Sequence, residues 1–248
     1  MIFFIFINNI KLNSFMKNKV KSHLSDLIKN FRPIRSDSER IQLMINSAIS
    51  GLRDPDNGVH ISRLTDLSSM NCLRWIKMKM EETDEGSRIL IEKPRVTKES
   101  LNFETLKTLK PNTLGSLYYK YMSENNFSPD ERPVVEYIPD VELAYICQRY
   151  KETHDFFHVL LNLGRSIKHE VAVKWFEALH LRLPSSSIAG LFGGLRLSPA
   201  EVNSLYTSLL PEIVENSKNS KFIMGVYYEE RLNQDIDELR REMCIKQI

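Results

Sequence analysis

The chain has 248 residues, of which 42% are hydrophobic and 9% are aromatic, which suits one globular domain with a buried core. The net charge is only +2, and no dense stripe of Lys and Arg interleaved with aromatic residues occurs, which argues against nucleic acid as the main partner. The cysteines Cys72, Cys147 and Cys244 are far apart and lack CxxC spacing. They are therefore expected to be reduced thiols rather than disulfides or zinc ligands.

The amino terminus differs in composition from the rest of the chain. Residues 1–7 (MIFFIFI) are intensely apolar, but the run is much shorter than the roughly 18 apolar residues of a membrane span. Residues 8–25 contain lysines and no acid, as in a mitochondrial presequence, although arginine is missing before Arg32. A secretory signal fits worse, because no basic region precedes the apolar run. We predict a leader at residues 1–25, either a presequence or a disordered terminus, and a single helical domain at residues 26–248.

Helix signals dominate the remainder, and no strand-like alternation persists. We therefore predict an all-α fold, a single-domain helical bundle. The predicted helical segments are 36–54, 61–69 leading on to 73–80, 102–109, 113–125, 140–164, a return segment from 166, 198–210 and a final segment that includes 227–239. Residues 81–86 are predicted to be an acidic loop. Residues 183–197 form a connection whose glycines permit either close backbone packing or a mobile rim.

One short stretch carries four potential metal ligands. His154 and His158 are four residues apart, so on a helix they project from one face. Asp155 lies beside them, close enough to complete a ligand set or to orient an imidazole. Glu170 cannot join them on one continuous helix, because the twelve residues after His158 would place it roughly 18 Å away. We therefore predict a helix–turn–helix that returns Glu170 to the histidines.

The intervening residues supply signals for that turn. Gly164 is a suitable stop for the first helix, and Ser166 is a suitable N-cap for the second. Both helices are apolar, and ionisable groups inside them are costly to bury unless they are paired or bind a metal. Two imidazoles and two carboxylates suit Zn²⁺ and also tolerate Fe²⁺ or Mn²⁺. The alternative is a metal-free network of carboxylate–histidine hydrogen bonds that braces the two helices.

With these residues in hand, the chain resembles the coenzyme Q biosynthesis protein four family, which contains mitochondrial ubiquinone-biosynthesis proteins. The signature that carries the resemblance is His154-Asp155-Phe156-Phe157-His158, followed by eleven residues and Glu170. Further family-like stretches are 48–55, 127–130, 173–178, 192–197 and 227–230. The resemblance therefore extends over residues 22–245, which is nearly the whole chain.

That resemblance implies a helical protein on the matrix face of the inner mitochondrial membrane, among the other enzymes of the coenzyme Q biosynthetic complex. It implies zinc at His154, Asp155, His158 and Glu170. The implied reaction is C1-decarboxylation of 4-hydroxy-3-methoxy-5-polyprenylbenzoate to 2-methoxy-6-polyprenylphenol. No residue can be assigned as the proton donor from the sequence.

Two other classes of function compete with this interpretation. A non-catalytic scaffold or lipid-binding organiser of the same complex would use the same apolar helices and a structural metal. An HD-type phosphohydrolase is suggested by the adjacent His154 and Asp155, but it needs another aspartate well downstream. The only candidates are Asp235 and Asp237, in a charged terminal segment.

Membrane attachment is expected to be peripheral, without a span. A polyprenyl substrate partitions into the bilayer, so its enzyme should present an apolar mouth at the membrane surface. Residues 190–197, together with Ile188, Leu191 and Phe192, are candidates for that rim. Tight helix packing around the glycines is the alternative role for this stretch.

Overall fold

The computed structural model describes residues 14–54 and 57–248, and this part of the chain is all-α, as predicted. Its helices are α1 (Ser14–Asn30), α2 (Asp37–Arg53), α3 (Gly58–Ser68), α4 (Met70–Glu81), α5 (Asp84–Glu92), α6 (Leu114–Glu124), α7 (Val141–Leu161), α8 (Ile167–His180), α9 (Pro184–Gly193), α10 (Pro199–Ser204), α11 (Leu210–Asn219) and α12 (Ile236–Glu242). A π-helical turn at Leu205–Leu209 joins α10 to α11. The other connections include 3₁₀ turns at Phe103–Thr108, Pro129–Glu131, Gly194–Arg196, Ile223–Gly225 and Tyr228–Glu230.

Helix α7 is the centre of the bundle. Its residues from Leu143 to Leu161 are all buried, and α1, α3, α4 and α6 pack against it. Charged side chains in its middle are paired: Arg149 with Glu229, Lys151 with Asp66 and Glu152 with Arg95. Such pairing offsets the cost of burying charge. Packing on several sides therefore fixes the direction in which each α7 side chain points.

Helix α1 crosses the leader boundary predicted at residue 25. Val20, Leu24 and Leu27 are buried in the core, so folded structure begins before residue 26. Residues 1–13 lie outside the described residues. The prediction of a presequence therefore stays a prediction.

The turn between α7 and α8 has the predicted N-cap but a different stop. Asn162 ends α7 in the left-handed conformation (φ 58°), and its N–H bonds the carbonyls of His158 and Val159. Asparagine tolerates this conformation, so Gly164 is not the capping residue. Ser166 caps α8 by accepting the N–H of His169, as predicted. The helix axes reverse within five residues, which brings the first turn of α8 beside the end of α7.

Residues 184–193 are helical, whereas the sequence predicted a connection. Pro184 stands in the first turn of α9, where its missing N–H costs nothing. A Cβ on Gly190 would lie 3.3 Å from the Trp175 ring, and one on Gly193 would lie 2.7 Å from Val171 Cγ2. The glycines therefore let α9 lie close against α8, and close packing is the role that the structure supports.

Two other predicted boundaries were wrong, whereas the stretch predicted from 61 to 69, leading on to Met80, forms the two helices α3 and α4, which Ser69 separates. Thr83 accepts the Gly86 N–H and starts α5 inside the predicted acidic loop. The last helix begins only after Asp235, whose carboxylate accepts the N–H groups of Asp237 and Glu238. At Thr83 and Asp235 a short polar side chain binds the backbone locally and sets the boundary.

Helix α2 has its predicted bounds, with Ser36 as N-cap and Asp54 as C-cap, but its apolar face points outward. Its buried residues are the small Ser47 and Gly51, which allow a close approach to α3. The outward stripe consists of Ile41, Ile45, Ile49 and Leu52, which are 43% to 57% exposed. Within the described residues no helix is long and apolar enough to span a membrane.

Candidate metal centre

Three of the four predicted ligands converge near the turn that joins α7 to α8. One atom each from His154, His158 and Glu170 lies within 4.8 Å of the other two, and this is the one such group among the described residues. His158 Nε2 is 3.1 Å from Glu170 Oε2, and His154 Nε2 is 3.6 Å from Glu170 Oε1. The imidazole rings are nearly perpendicular, with centroids 5.0 Å apart. Two imidazoles and one carboxylate are a donor set that catalytic zinc sites use.

The second nitrogen of each imidazole is held by another group. His158 Nδ1 lies 3.2 Å from the carbonyl oxygens of Leu163 and Gly164, so it carries the proton and donates to them. His154 Nδ1 donates to Glu177 Oε1 over 2.6 Å. With both protons on Nδ1, both Nε2 lone pairs face the same point. Partners of this kind fix the tautomer and orientation of metal-binding histidines, so the protein residues fit a metal ion.

Glu177 was not among the predicted site residues. Its carboxylate is fully buried and also accepts hydrogen bonds from Tyr150 (2.7 Å), Ser186 (2.8 Å) and Lys174 (3.0 Å). Burial alone would raise its pKa, but Lys174 and His154 outweigh that effect and lower the pKa of Glu177 to about 2. One signal in the sequence could have found it. Glu177 follows Glu170 by seven residues, two turns along the same face of α8.

Lys174 connects the two carboxylates of α8. Its Nζ is 3.5 Å from Glu170 Oε1 and 3.0 Å from Glu177 Oε2. Burial opposes ionisation of Glu170, yet Lys174 and His154 hold the pKa of that carboxyl well below its usual range. Burial also opposes ionisation of His154, as does Lys174, but Glu177 and Glu170 raise its pKa. Both carboxylates of the site are therefore ionised, which suits a cation.

Asp155 lies outside the converging group. Its buried carboxylate accepts a hydrogen bond from Arg132, just after the Pro129–Glu131 turn. Helix geometry contributes to this separation, because Asp155 points about 100° away from His154. The prediction that Asp155 binds metal stays a prediction. No spacing pattern in the sequence pointed to Arg132.

Two tyrosines of α6 lie against this end of α7. The Tyr121 ring stacks on the His158 ring, with centroids 5.1 Å apart and planes 28° apart. Tyr118 stacks on Phe156 with centroids 4.0 Å apart. Its hydroxyl is buried and has no hydrogen-bond partner among the described residues. Burial, and then the charge of Asp155, raise the Tyr118 pKa, so this hydroxyl is neutral at physiological pH.

The fold and the site together define an all-α protein with a His-His-Glu cluster, suited to a metal ion, between two antiparallel helices. The family model described as "Coenzyme Q (ubiquinone) biosynthesis protein Coq4" matches residues 32–248. The chain therefore belongs to the Coq4 family, whose role is in ubiquinone biosynthesis, and the resemblance inferred from the sequence is confirmed.

Relatives support the assignment along most of the chain. The Paramecium tetraurelia protein named ubiquinone biosynthesis protein COQ4 homolog 2, mitochondrial, is 45% identical over 187 residues, covering 75% of this chain and 89% of its own. The Schizosaccharomyces japonicus protein named ubiquinone biosynthesis protein coq4, mitochondrial, is 37% identical and covers 88% and 95%. A crystal structure of a putative ubiquinone biosynthesis protein from Nostoc punctiforme superposes with a TM-score of 0.64 at 16% identity, covering 82% of this chain and 96% of that one. At that identity the Nostoc structure supports the fold alone.

Proposed function

We propose that this protein is a metal-dependent carboxy-lyase of ubiquinone biosynthesis. The substrate would be 4-hydroxy-3-methoxy-5-polyprenylbenzoate. The bond from C1 to the carboxylate breaks, carbon dioxide leaves, and a proton takes its place to give 2-methoxy-6-polyprenylphenol. The convergence of His154, His158 and Glu170 carries the metal part of the proposal. The choice of reaction rests on the family resemblance.

The ligand set suits Zn²⁺, with Fe²⁺ or Mn²⁺ as alternatives. A bound ion supplies Lewis-acid stabilisation of the negative charge that develops as carbon dioxide leaves. The rest of the site keeps the ligands ready. Glu177 holds the His154 tautomer, the Leu163 and Gly164 carbonyls hold His158, and Lys174 keeps Glu170 ionised. Tyr121 covers one face of His158 and limits access of water from that side.

We further propose that the protein works in mitochondria as a peripheral protein on the matrix side of the inner membrane, beside the other enzymes of the pathway. The supporting observation is an apolar surface, here called the α2/α9 surface. It consists of Ile41, Ile45, Ile49 and Leu52 of α2 with Leu191 and Phe192 of α9 and Leu195 just after it, all exposed. The α9 helix contacts both α2 and α3, so the two groups lie on neighbouring helices.

A lipid surface is the occupant that best fits the α2/α9 surface. The isoleucine stripe lies along one side of a single helix, and interfacial helices bind bilayers through such a stripe. Arg32 and Arg35 stand just before α2 and are exposed; Arg32 pairs with Glu136, and Arg35 can meet anionic headgroups. The predicted rim at 190–197 forms part of this surface. A bilayer-bound enzyme would also meet a polyprenyl substrate where that substrate is dissolved.

The decisive test combines metal analysis with turnover in the purified full chain. We expect about one metal ion per chain, and release of carbon dioxide from 4-hydroxy-3-methoxy-5-prenylbenzoate that stops on chelation and returns with Zn²⁺, Fe²⁺ or Mn²⁺. His169→Ala is a matched control, because His169 neighbours Glu170 but lies outside the ligand group. Stoichiometric metal and substrate binding without carbon dioxide release, under all three ions, would favour the scaffold instead.

A further inference from the structure

Arg132 stands beside the metal centre, and Asp155 engages only one part of its guanidinium group. Its Nη2 donates to Asp155 Oδ2, and its side chain makes no other hydrogen bond to the described residues. A guanidinium has five N–H donors, so the Nη1 and Nε edges keep free donors. The Arg132 side chain is 26% exposed, whereas that of Asp155 is 2% exposed. One edge of the arginine is thus anchored to α7, and the group as a whole still reaches solvent.

Arg132 lies next to the ligand-bearing part of α7, because Asp155, which accepts its hydrogen bond, directly follows His154. Burial opposes the charge of Arg132, but Asp155 and, more weakly, Tyr118 and Glu170 raise its pKa, so the guanidinium stays charged. The Glu170 side chain is 41% exposed, whereas those of His154, His158 and Lys174 are at most 12% exposed. Glu170 and Arg132 therefore mark the side from which a ligand can enter.

The balance of charge around the site changes sign when a metal binds. Three carboxylates (Asp155, Glu170 and Glu177) surround two cations (Arg132 and Lys174), which leaves one negative charge in excess. A divalent ion converts that to an excess of one positive charge. In a partly buried site such an excess favours a monoanionic ligand. Arg132, with free donors on the accessible side, is the group that can bind it directly.

We propose that Arg132 binds the carboxylate of the acidic substrate, and that Asp155 positions Arg132 rather than binding the metal. The inference rests on the proposed function for the identity of the acid. A guanidinium edge matches a carboxylate with two parallel N–H···O bonds, and this geometry fixes the orientation of the ring as well as its charge. Asp155 restrains the arginine through Nη2, which leaves the Nη1 and Nε donors of the partly exposed side chain for the acid.

The experiment separates acid recognition from metal binding. The probes are 4-hydroxy-3-methoxy-5-prenylbenzoate and its carboxamide, which has the same shape without the charge. Their affinities for the zinc-loaded full chain are measured by calorimetry, and zinc affinity is measured separately by competition with a chromophoric chelator. Because charge-assisted bonds are the strong ones, we expect Arg132→Gln to reduce the preference for acid over amide by about 10- to 100-fold. Arg132→Lys should restore part of that preference, because lysine keeps the positive charge but cannot form the two parallel N–H···O bonds of a guanidinium.

The role of Asp155 is tested by zinc affinity. We expect Asp155→Asn to change it by less than about threefold, whereas Glu170→Gln should weaken it far more, because it removes a ligand. Since breaking one partner of a buried pair can destabilise the fold, the double variant Arg132→Gln/Asp155→Asn removes both charges together. It should bind zinc normally and lack the acid preference. Arg165→Gln is the matched control, because this exposed arginine lies over Phe127 and is not a member of the ligand group.

Two results would overturn the inference. One is an unchanged preference for acid in Arg132→Gln. The other is a loss of zinc affinity in Asp155→Asn as large as that in Glu170→Gln. Neither measurement needs turnover, so the outcome is independent of the proposed reaction. Arg132-dependent acid binding without carbon dioxide release would leave the inference standing and refute the lyase. If Arg132→Gln released carbon dioxide as fast as the wild type, the lyase would stand and Arg132 would have no role in binding its substrate.

Discussion

Helices α7 and α2 place their polar and apolar side chains in opposite ways. In α7, ionisable residues such as Arg149, His154 and His158 are buried in the middle of the bundle. In α2, the large apolar side chains point into solvent, and Ser47 and Gly51 face the protein. Both arrangements reverse the usual preference for apolar residues inside.

The buried ionisable groups of α7 and the exposed apolar groups of α2 are stabilised by different partners. Most ionisable side chains inside α7 have a charged or hydrogen-bonding partner, and the two histidine Nε2 atoms face a shared carboxylate. Two imidazole nitrogens around one carboxylate are an arrangement that fits a metal ion. The α2 stripe has no such internal partner, and an exposed apolar patch of this kind marks a surface that another body covers. In the proposed function the buried cluster accounts for the chemistry, and the exposed apolar stripe accounts for binding to the membrane.

The largest expected effect is on metal binding by the buried cluster of α7 and α8. His158→Ala removes a ligand whose side chain is fully buried and whose Nδ1 is already fixed by two carbonyls. We expect stoichiometric metal to be lost from the purified protein while most helicity remains, as measured by atomic absorption and circular dichroism. Only two of the three converging ligands would be left to hold the ion.

His169→Ala provides the comparison for that experiment. The His169 ring is close in sequence, and its Nδ1 accepts the Gly164 N–H, but it is not in the converging group. It should keep its metal. Unchanged metal content in both His158→Ala and Glu170→Ala would mean that the cluster is the hydrogen-bond network considered from the sequence, with no metal function.

The site shows what spacing can predict and what it cannot. The i, i+4 relation between His154 and His158 and the return of Glu170 follow from helix periodicity and one N-cap at Ser166, which are local properties. Arg132 comes from a distant segment, so its contact with Asp155 depends on how the 129–131 turn packs on α7. No local pattern encodes that packing. Glu177 is intermediate, because periodicity places it on the correct face but does not reveal its bond to His154.

The second largest effect concerns the carboxylate behind His154. Glu177→Gln keeps the shape of the side chain but weakens its charge-assisted bond to His154 Nδ1. Partners of this kind change metal affinity by about 10- to 100-fold, so we expect zinc affinity to fall within that range. Competition with a chromophoric chelator measures it. Glu201→Gln, at an exposed cap on α10, is the control that should leave zinc affinity unchanged. Equal affinities in the two variants would show that Glu177 only braces the helices.

The fold was predictable where caps and periodicity agreed. Asp140 and Ser198 both cap helices as predicted, and the all-α class is confirmed. The prediction failed for α9, because glycine and serine are poor helix formers in isolation. There the close contact with Trp175 and Val171 of α8 makes small residues favourable, which is a tertiary effect. The sequence also did not predict that the apolar stripe of α2 faces solvent, because an amphipathic pattern does not indicate which face packs against the protein.

Membrane binding by the exposed stripe of α2 is tested by replacing two of its isoleucines with aspartate. Ile45 and Ile49 are 54% and 43% exposed, so transferring the remaining surface into lipid contributes about 1 kcal/mol for each side chain. Ile45→Asp/Ile49→Asp should therefore lower the partition coefficient on cardiolipin-containing phosphatidylcholine vesicles by at least about tenfold. Sedimentation with vesicles measures that coefficient.

The same helix offers a control with equal charge. Gln42 and Asn46 are exposed on α2 beside the stripe, and Gln42→Asp/Asn46→Asp adds two acids without removing apolar surface. This variant should lose only the electrostatic part of binding. Phe192→Asp tests the α9 portion of the surface in the same assay. If the two α2 variants bound vesicles equally, the stripe would not be the membrane contact.

The smallest expected effect is the contribution of His180 to the pH dependence of stability. His180 is a buried histidine outside the cluster of His154, His158 and Glu170. Its ring lies between Phe176 and Phe222, its Nδ1 donates to the Ser217 carbonyl over 2.9 Å, and its Nε2 accepts the Ile223 N–H. Burial lowers its pKa, and the bond to Ser217 only partly opposes that effect. The folded state therefore holds a neutral ring where the unfolded chain would bind a proton.

Because the unfolded chain binds the extra proton, the free energy of unfolding should fall as pH drops below about 6.5, by at most about 1.4 kcal/mol per pH unit for this one group. His180→Gln can keep a donor and an acceptor but cannot titrate. Urea unfolding between pH 8 and pH 5 should show the stability advantage of the wild type over this variant shrinking towards low pH. The cluster of His154, His158 and Glu170 is common to both proteins, so its titration cancels in the difference. Parallel curves for the two proteins would show that His180 binds its proton equally well in the folded and unfolded states.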